Sequence, residues 1–446
     1  MSASASHPLS ARAVFHQSWP IMLANMATPL VGLVDTLVVG RFVGTAALAG
    51  IGLGAVVYGI VYWSFGFLRM STAGLTAQDD GAGDRRGVQG HVLRAVPLGL
   101  VIGALVLALQ ALLLPGLFAL YTAGAELEAS AATYIRARLW GLPAVLGVMA
   151  LMGWFVGISR AGRALQLQLV LNGVNIVLTP LFVLQFGAGL YGVGLATSIA
   201  EWAGLLFGLL LVAREVRARG GWAGGVSERS FLFDAAQLRR LGVANSNIFV
   251  RALTLVLGFN FFANAAASEG ELFMAANHIH MQLITMSAFV LDAFAHTAEA
   301  VTGQAYGARD RGRFSRAVAL TTRFSASFAL ALGALILVGG PLLIDTLSTD
   351  PAVREVARTW LPFAALAPVL GFAAYQMDGI FIGTTRTAEM RNAGIASVAL
   401  YVALHFALTP ILGTAAIWVA FLAFYLLRAS LLGLYLPRIL RHLERP

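Results

Sequence analysis

The sequence predicts an all-α polytopic membrane protein of about twelve transmembrane helices, built as two six-helix repeats. Three observations carry that prediction: long stretches without a charge, arginines gathered into alternate loops, and two motifs that each recur at the same spacing.

Of the 446 residues, 59% are apolar and only 11% charged, and the mean hydropathy is +0.79. A soluble protein of this length carries about 25% charged residues, because water must meet a charged surface. Charge-free runs extend over 13–34, 42–68, 95–125, 164–200 and 392–427. A bilayer-spanning helix needs roughly 20 apolar residues, so the two longest runs must each hold a hairpin. Gly187 to Gly194, reading GAGLYGVG, supplies the turn in one of them.

Taken in order, the runs and their flanks predict helices over 14–39, 45–77, 89–114, 127–158, 163–186 and 190–213. A polar Arg/Gly/Ser/Glu connection follows at 214–236. Six further helices are predicted at 237–267, 272–305, 314–344, 352–384, 388–411 and 414–436. The expected organisation is an N-terminal lobe over 1–213, a cytoplasmic linker over 214–236 and a C-terminal lobe over 237–446.

The formal net charge of +9 does not indicate a nucleic-acid partner. All basic residues are Arg, clustered at Arg85, Arg86 and Arg94; at Arg160 and Arg163; at Arg214, Arg217, Arg219 and Arg229; at Arg309 to Arg316; at Arg386 and Arg391; and at Arg438 to Arg445. The intervening loops hold almost none. This alternation is the positive-inside pattern and predicts that both termini are cytoplasmic. Residues 1–19 read as a cytoplasmic tail leading into the first helix, with no cleavable signal. No cysteine occurs, which excludes disulfides and thiolate chemistry.

The halves repeat. Gln78 to Asp84 (QDDGAGD) matches Gln304 to Asp310 (QAYGARD), and Phe155 to Arg160 (FVGISR) matches Phe381 to Arg386 (FIGTTR), both 226 residues apart. Six helices per half place both halves the same way up, a plan in which transporters bind their cargo between repeats. Duplication favours a transporter over a receptor, a scaffold or a passive channel.

Ionisable residues within a bilayer cost at least ~2.5 kcal/mol each on insertion scales and so call for a partner or a role. Asp35 lies deep in the first helix among Val31, Leu33, Val34, Leu37 and Val38, after Pro20 and Pro29. A carboxylate in an apolar bundle is suited to loading and releasing a proton. Pro29 weakens the helix within two turns of it, so protonation is expected to change the bend. The alternative is a structural aspartate held by neighbours such as Asn25 or Asn175. In the eighth helix Asp292, His296 and Glu299 share one face. They form a second acidic group able to exchange protons, meet a cationic substrate or partner an arginine such as Arg251. Asp378 in the tenth helix is a similar candidate. Tyr58, Tyr62 and Trp63 are candidates for a cavity that takes flat lipophilic molecules.

His278 and His280, two residues apart, point to different helical faces, so no metal site is expected. Gly52-Leu53-Gly54 follows no strand and is not a nucleotide loop. There is no Walker motif and no nucleophile–base motif, so no enzyme and no cofactor is expected.

The segments PLVGLVDTLVVGRF (29–42), FLRMSTAGLTAQ (67–78), LDAFAHTAEAVTGQAYGARD (291–310) and MDGIFIGTTRTAEMRN (377–392) resemble the DinF branch of the MATE (multidrug and toxic compound extrusion) transporters, of the MOP superfamily. The resemblance implies two six-helix lobes that alternate access in a bacterial inner membrane, working as a monomer among membrane lipids. It implies export of amphipathic, often cationic, compounds by antiport with H⁺, with Na⁺ as the other coupling ion. In that family an acid in the first helix couples the ion, and Asp35 occupies its position. Family members often carry an Asn in the fifth helix followed four residues later by Asp. Here Asn175 is followed by Thr179, which leaves Asp35 with fewer acidic neighbours in its polar network. The alternatives to efflux are a flippase for lipid-linked precursors, which would need a strongly cationic cavity, and a membrane-embedded enzyme, for which only Asp292, His296 and Glu299 converge.

Overall fold

The computed structural model describes residues 9–119, 121 and 124–444, and every regular element among them is helical. In order, α1 is Ala11–Phe42, α2 Thr45–Ser64, α3 Phe67–Gly81, α4 Arg85–Ala108, α5 Gln110–Phe118, α6 Ala125–Leu139, α7 Leu142–Gly157, α8 Ala161–Pro180 and α9 Gly189–Ala218. The chain continues with α10 Arg229–Leu232, α11 Ala235–Ser268, α12 Glu271–Gly307, α13 Arg311–Leu347, α14 Pro351–Gly383, α15 Thr387–Leu412, α16 Ala415–Gly433 and α17 Leu436–Leu443. Ten spans among the described residues are long and apolar enough to cross a bilayer, and α6 with α7, bent by 56°, makes an eleventh. α12 is not among them: its 37 residues suffice in length but include Asp292, His296 and Glu299, so ten or eleven spans stand against the twelve expected.

The helices break where backbone chemistry demands it. Pro143 cannot continue a helix begun before it, but fits the first turn of α7, where its missing N–H has no carbonyl to serve. Pro20 and Pro29 each remove one rung of hydrogen bonding, yet α1 runs helical through both.

Contacts divide the chain into two units. One is Leu23–Asn245; the other starts at Ser246 and includes α1 as far as Met22. The start of α1 is held in the second unit by a 2.8 Å hydroxyl pair of Ser18 with Thr297 and by Phe15 against Phe324 at 6.1 Å. The expected polar linker belongs to the first unit. Gln89 brackets it by donating to the Gly221 carbonyl at 3.0 Å and accepting from the Ala223 amide at 2.8 Å. Arg86 and Arg94 stack over the Phe231 ring at 4.2 and 4.5 Å, and Arg94 donates to the Phe231 and Leu232 carbonyls. Each cation–π contact contributes roughly 0.5–1 kcal/mol at an exposed site. Phe231→Ala is therefore expected to speed tryptic cleavage after Arg229 by about five-fold in limited proteolysis. Unchanged cleavage would show that the backbone hydrogen bonds hold the linker alone.

The repeated motifs are helix punctuation. Arg160 N–H donates to the Phe155 carbonyl at 2.8 Å and Arg386 N–H to Phe381 at 2.9 Å, with Ser159 and Thr385 in left-handed geometry at φ 58° and 52°. Asp84 and Asp310 N–H groups bond in the same six-residue pattern to Asp79 and Ala305, across Gly83 and Arg309 at φ 73° and 53°. These are Schellman caps. Asp84 and Asp310 then cap the next helices, accepting from Gly87 N–H at 2.9 Å and Arg313 N–H at 2.8 Å. The 226-residue spacing is thus a spacing of matching turns.

Packing repeats too. The α3–α7, α4–α7, α7–α9 and α8–α9 pairs of one unit correspond to α12–α14, α13–α14, α14–α16 and α15–α16 of the other. Lipid tails give helices no hydrophobic reason to associate, so small residues that permit close contact carry the packing. A Cβ at Gly153 would lie 2.2 Å from the Arg69 carbonyl, and one at Gly379, 226 residues on, 2.2 Å from that of Ala295. Gly379→Ala should cost about 1–3 kcal/mol, because the obstruction is backbone and cannot rotate away. Gly162→Ala, where nothing lies within 4 Å, serves as the control in a thermal-unfolding comparison.

Candidate functional site

In the first unit Asp35 is buried on α1, with 6% of its surface exposed. Among the described residues its one hydrogen bond comes from the Thr179 hydroxyl on α8, at 3.0 Å. Asn172, Asn175 and Thr179 repeat at helical spacing along one face of α8. Asn172 donates to the Ala27 carbonyl of α1 at 3.0 Å. Asn175 donates to Thr197 of α9 at 2.7 Å, and Thr197 donates on to the Val193 carbonyl. The network expected around Asp35 therefore reaches it through Thr179, while Asn175 ties α8 to α9. Asn25 is half-buried and ten residues before Asp35, about 15 Å along the helix. Beginning two residues after Thr179, Leu181–Gln185 form a π-helical turn, a local underwinding that recurs at functional positions.

Beside this carboxylate lies an ion pair that sequence reasoning missed. Arg138 of α6 is 3.3 Å from Glu201 of α9, which is 2% exposed. The guanidinium stacks over the Tyr58 ring of α2 at 4.3 Å, and Asp35 and Tyr134 lie within its electrostatic reach. Tyr58, a candidate cavity residue, is thus the platform for Arg138. Tyr62 is half-buried and meets Trp63 edge-on at 5.5 Å, whereas Trp63 is 63% exposed and stands apart from the buried cluster.

The second unit holds a buried triad. Asp378 on α14 accepts hydrogen bonds at Oδ2 from Arg251 of α11 and Arg428 of α16. All three residues are buried. Tyr375 lies under Arg428 at 5.8 Å and beside Tyr425 at 6.2 Å. Asp292 of α12 is half-buried and within electrostatic reach of Arg251, Tyr375 and Tyr425. His296 is half-buried and Glu299 fully buried on the same helix. Asp378 is therefore not part of an open acidic face. Both guanidiniums meet Oδ2, while Oδ1 is buried without a hydrogen-bond partner among the described residues. His280 bonds through Nε2 to the Ala357 carbonyl at 2.8 Å, a structural contact between α12 and α14.

Arg138, Glu201 and Arg428 fall inside the predicted helices 127–158, 190–213 and 414–436. The insertion cost that singled out Asp35 applies equally to them and was the signal available.

A duplicated all-helical bundle with ionisable groups buried among its spans is the build of a membrane transporter. The MatE family model matches twice, over residues 20–181 and 248–411, one match to each repeat. The chain is 35% identical to the DNA damage-inducible protein F of Escherichia coli K12 over 435 residues, covering 97% of this chain and 92% of that protein. It is 28% identical over 380 residues to a probable multidrug resistance protein NorM of Aromatoleum aromaticum, covering 80% and 79%. Among solved structures, MATE in complex with MaD3S aligns with a TM-score of 0.86 at 20% identity, covering 98% of this chain and 97% of that one. A MOP superfamily transporter from Pyrococcus furiosus aligns with a TM-score of 0.86 at 21% identity, over the same shares. The chain belongs to the MatE family and is a multi-pass membrane transporter, not an enzyme.

Proposed function

We propose that the protein is an antiporter that exports amphipathic or cationic small molecules against an inward flow of protons, with Asp35 as the group that carries the coupling ion. The observation behind this is the state of that carboxylate: buried in an apolar bundle with one neutral hydroxyl donor. Burying a charge with so little compensation is costly. The group is at ease when a proton or a monovalent cation occupies it, and gives that ion up only when water reaches it. Na⁺ would satisfy the same chemistry. Relatives named for multidrug resistance support a broad substrate class. The alternating arginine loops support an inner-membrane placement with both termini cytoplasmic. Two repeats within one chain support a monomer. Arg138 is paired with Glu201, and Arg251 and Arg428 share Asp378 with Asp292 in electrostatic reach of Arg251, so these guanidiniums are already engaged by acids, which argues against a polyanionic cargo such as a lipid-linked pyrophosphate.

The test is efflux of a fluorescent lipophilic cation from proteoliposomes under an imposed pH gradient or an imposed sodium gradient. Efflux driven by the pH gradient and abolished by a protonophore is expected. Efflux driven by sodium alone would reassign the ion, and no response to either gradient would overturn antiport of this substrate class.

A further inference from the structure

We propose that Glu201 is a second acid of the ion-coupling site and that Arg138 is a counter-charge shared between Glu201 and Asp35. The inference deepens the antiport reading and rests on it. The folded unit brings Glu201 of α9 to Arg138 of α6.

Four observations carry the assignment. First, α1, α6 and α9 bring the three groups together: Arg138 is 3.3 Å from Glu201 and within electrostatic reach of Asp35. Second, the pair is incompletely bonded, since Glu201 Oε2 and Arg138 Nε are buried without a hydrogen-bond partner among the described residues. An ion pair serving only to fasten two helices would use the two-pronged guanidinium–carboxylate geometry, which is the stronger one. Third, Gly141, at the bend between α6 and α7, leaves room for the carboxylate: a Cβ there would lie 2.0 Å from Glu201 Oε2. Fourth, the charges do not balance. Two carboxylates and one guanidinium sum to one negative charge when both acids are ionised, and to zero when they share one proton. A net buried charge is the costly state, so the cluster holds one proton between its acids.

The other groups facing the cluster are the hydroxyls of Tyr58 and Tyr62 on α2, Tyr134 on α6 and Thr179 on α8, with Arg69 of α3 felt at Tyr62. When Asp35 gives its proton to water, the new carboxylate competes with Glu201 for Arg138. Ion release at α1 is thereby transmitted to α6 and α9.

The test is an infrared titration of protonated carboxyls in the purified, reconstituted protein, with the Asp35 band identified by its loss in Asp35→Asn. The pH profile of efflux is read alongside it. Glu201→Gln leaves Arg138 to Asp35 alone and is expected to move the Asp35 midpoint to lower pH by about one unit. Arg138→Gln removes the positive charge within reach of Asp35 and is expected to move it to higher pH by a similar amount. Arg138→Lys, which keeps the charge, should hold the wild-type midpoint, and the double variant should return towards it. Each single variant decides in its own direction, so misfolding of one leaves the other informative. A purely structural ion pair would lower the stability of both single variants and leave the midpoint where it is, and that result would overturn the proposal. If the wild type shows no gradient-driven efflux, the antiport reading fails, while the infrared midpoints still decide the charge coupling.

Discussion

Asp35→Asn is expected to reduce gradient-driven efflux to the level of empty liposomes while the protein still folds and inserts. The two side chains have nearly the same shape, and the asparagine oxygen can still accept the Thr179 hydroxyl that Asp35 accepts at 3.0 Å. What disappears is the group that can exist in two charge states. Removing a charge from a buried site with one neutral donor also relieves desolvation, so thermal stability should be equal or higher. Thr179→Val separates position from charge. It keeps the carboxylate but removes its donor, at a cost of about 1–3 kcal/mol for the group left unsatisfied, and should weaken transport without abolishing it. The measurement is initial efflux rate against thermal midpoint for all three proteins. Wild-type coupling in Asp35→Asn would exclude Asp35 as the ion carrier and move attention to Asp292 and Glu299.

The second large effect is expected on stability. Asp378 receives both Arg251 and Arg428 at one carboxylate oxygen, and all three residues are buried. Asp378→Asn removes the carboxylate to which both guanidiniums are hydrogen-bonded. Breaking a buried pair from one side costs about 3–5 kcal/mol, a large share of the marginal stability of any fold. Asp292 reaches Arg251 electrostatically and should recover part of that loss. Low yield and a lowered melting temperature in detergent are therefore expected. The apolar triple variant Arg251→Met, Asp378→Leu, Arg428→Met removes all three charges of the triad and should restore most of the stability. If the restored protein transports, the triad serves the fold; if it does not, the charges take part in the cycle. A melting temperature for Asp378→Asn equal to that of the wild type would show that the triad is not what holds α11, α14 and α16 together.

The sequence by itself determined the class of the protein, because the bilayer imposes a constraint that can be read one residue at a time. A span must be apolar over about 20 residues, and arginines collect on one side, so a polytopic helical membrane protein is legible from composition. The repeat was legible for a related reason. Its motifs are local turn chemistry, Schellman caps followed by capping aspartates at Asp84 and Asp310, and local chemistry leaves the same residues at the same spacing. Asp35 was legible as one acid inside an apolar run. Its partners were not: Thr179 lies 144 residues away in the chain, and only the docking of α8 on α1 brings its hydroxyl to the carboxylate.

The buried ion pairs show where sequence reading stops. Arg138, Glu201 and Arg428 could each be recognised as a charge inside a predicted helix, but the sequence does not say which acid meets which base. Asp378 could be read as an open acid on a cavity wall, until the tertiary structure placed two guanidiniums on it. Glu201 lies inside the predicted helix 190–213, and α9 continues to Ala218, yet nothing local in the sequence pairs it with Arg138. Tertiary structure decides these matters because a charge in a low-dielectric interior takes its character from what lies within a few ångströms of it. That neighbourhood is set by how helices distant in sequence pack together, on glycines such as Gly153 and Gly379 that let backbones touch.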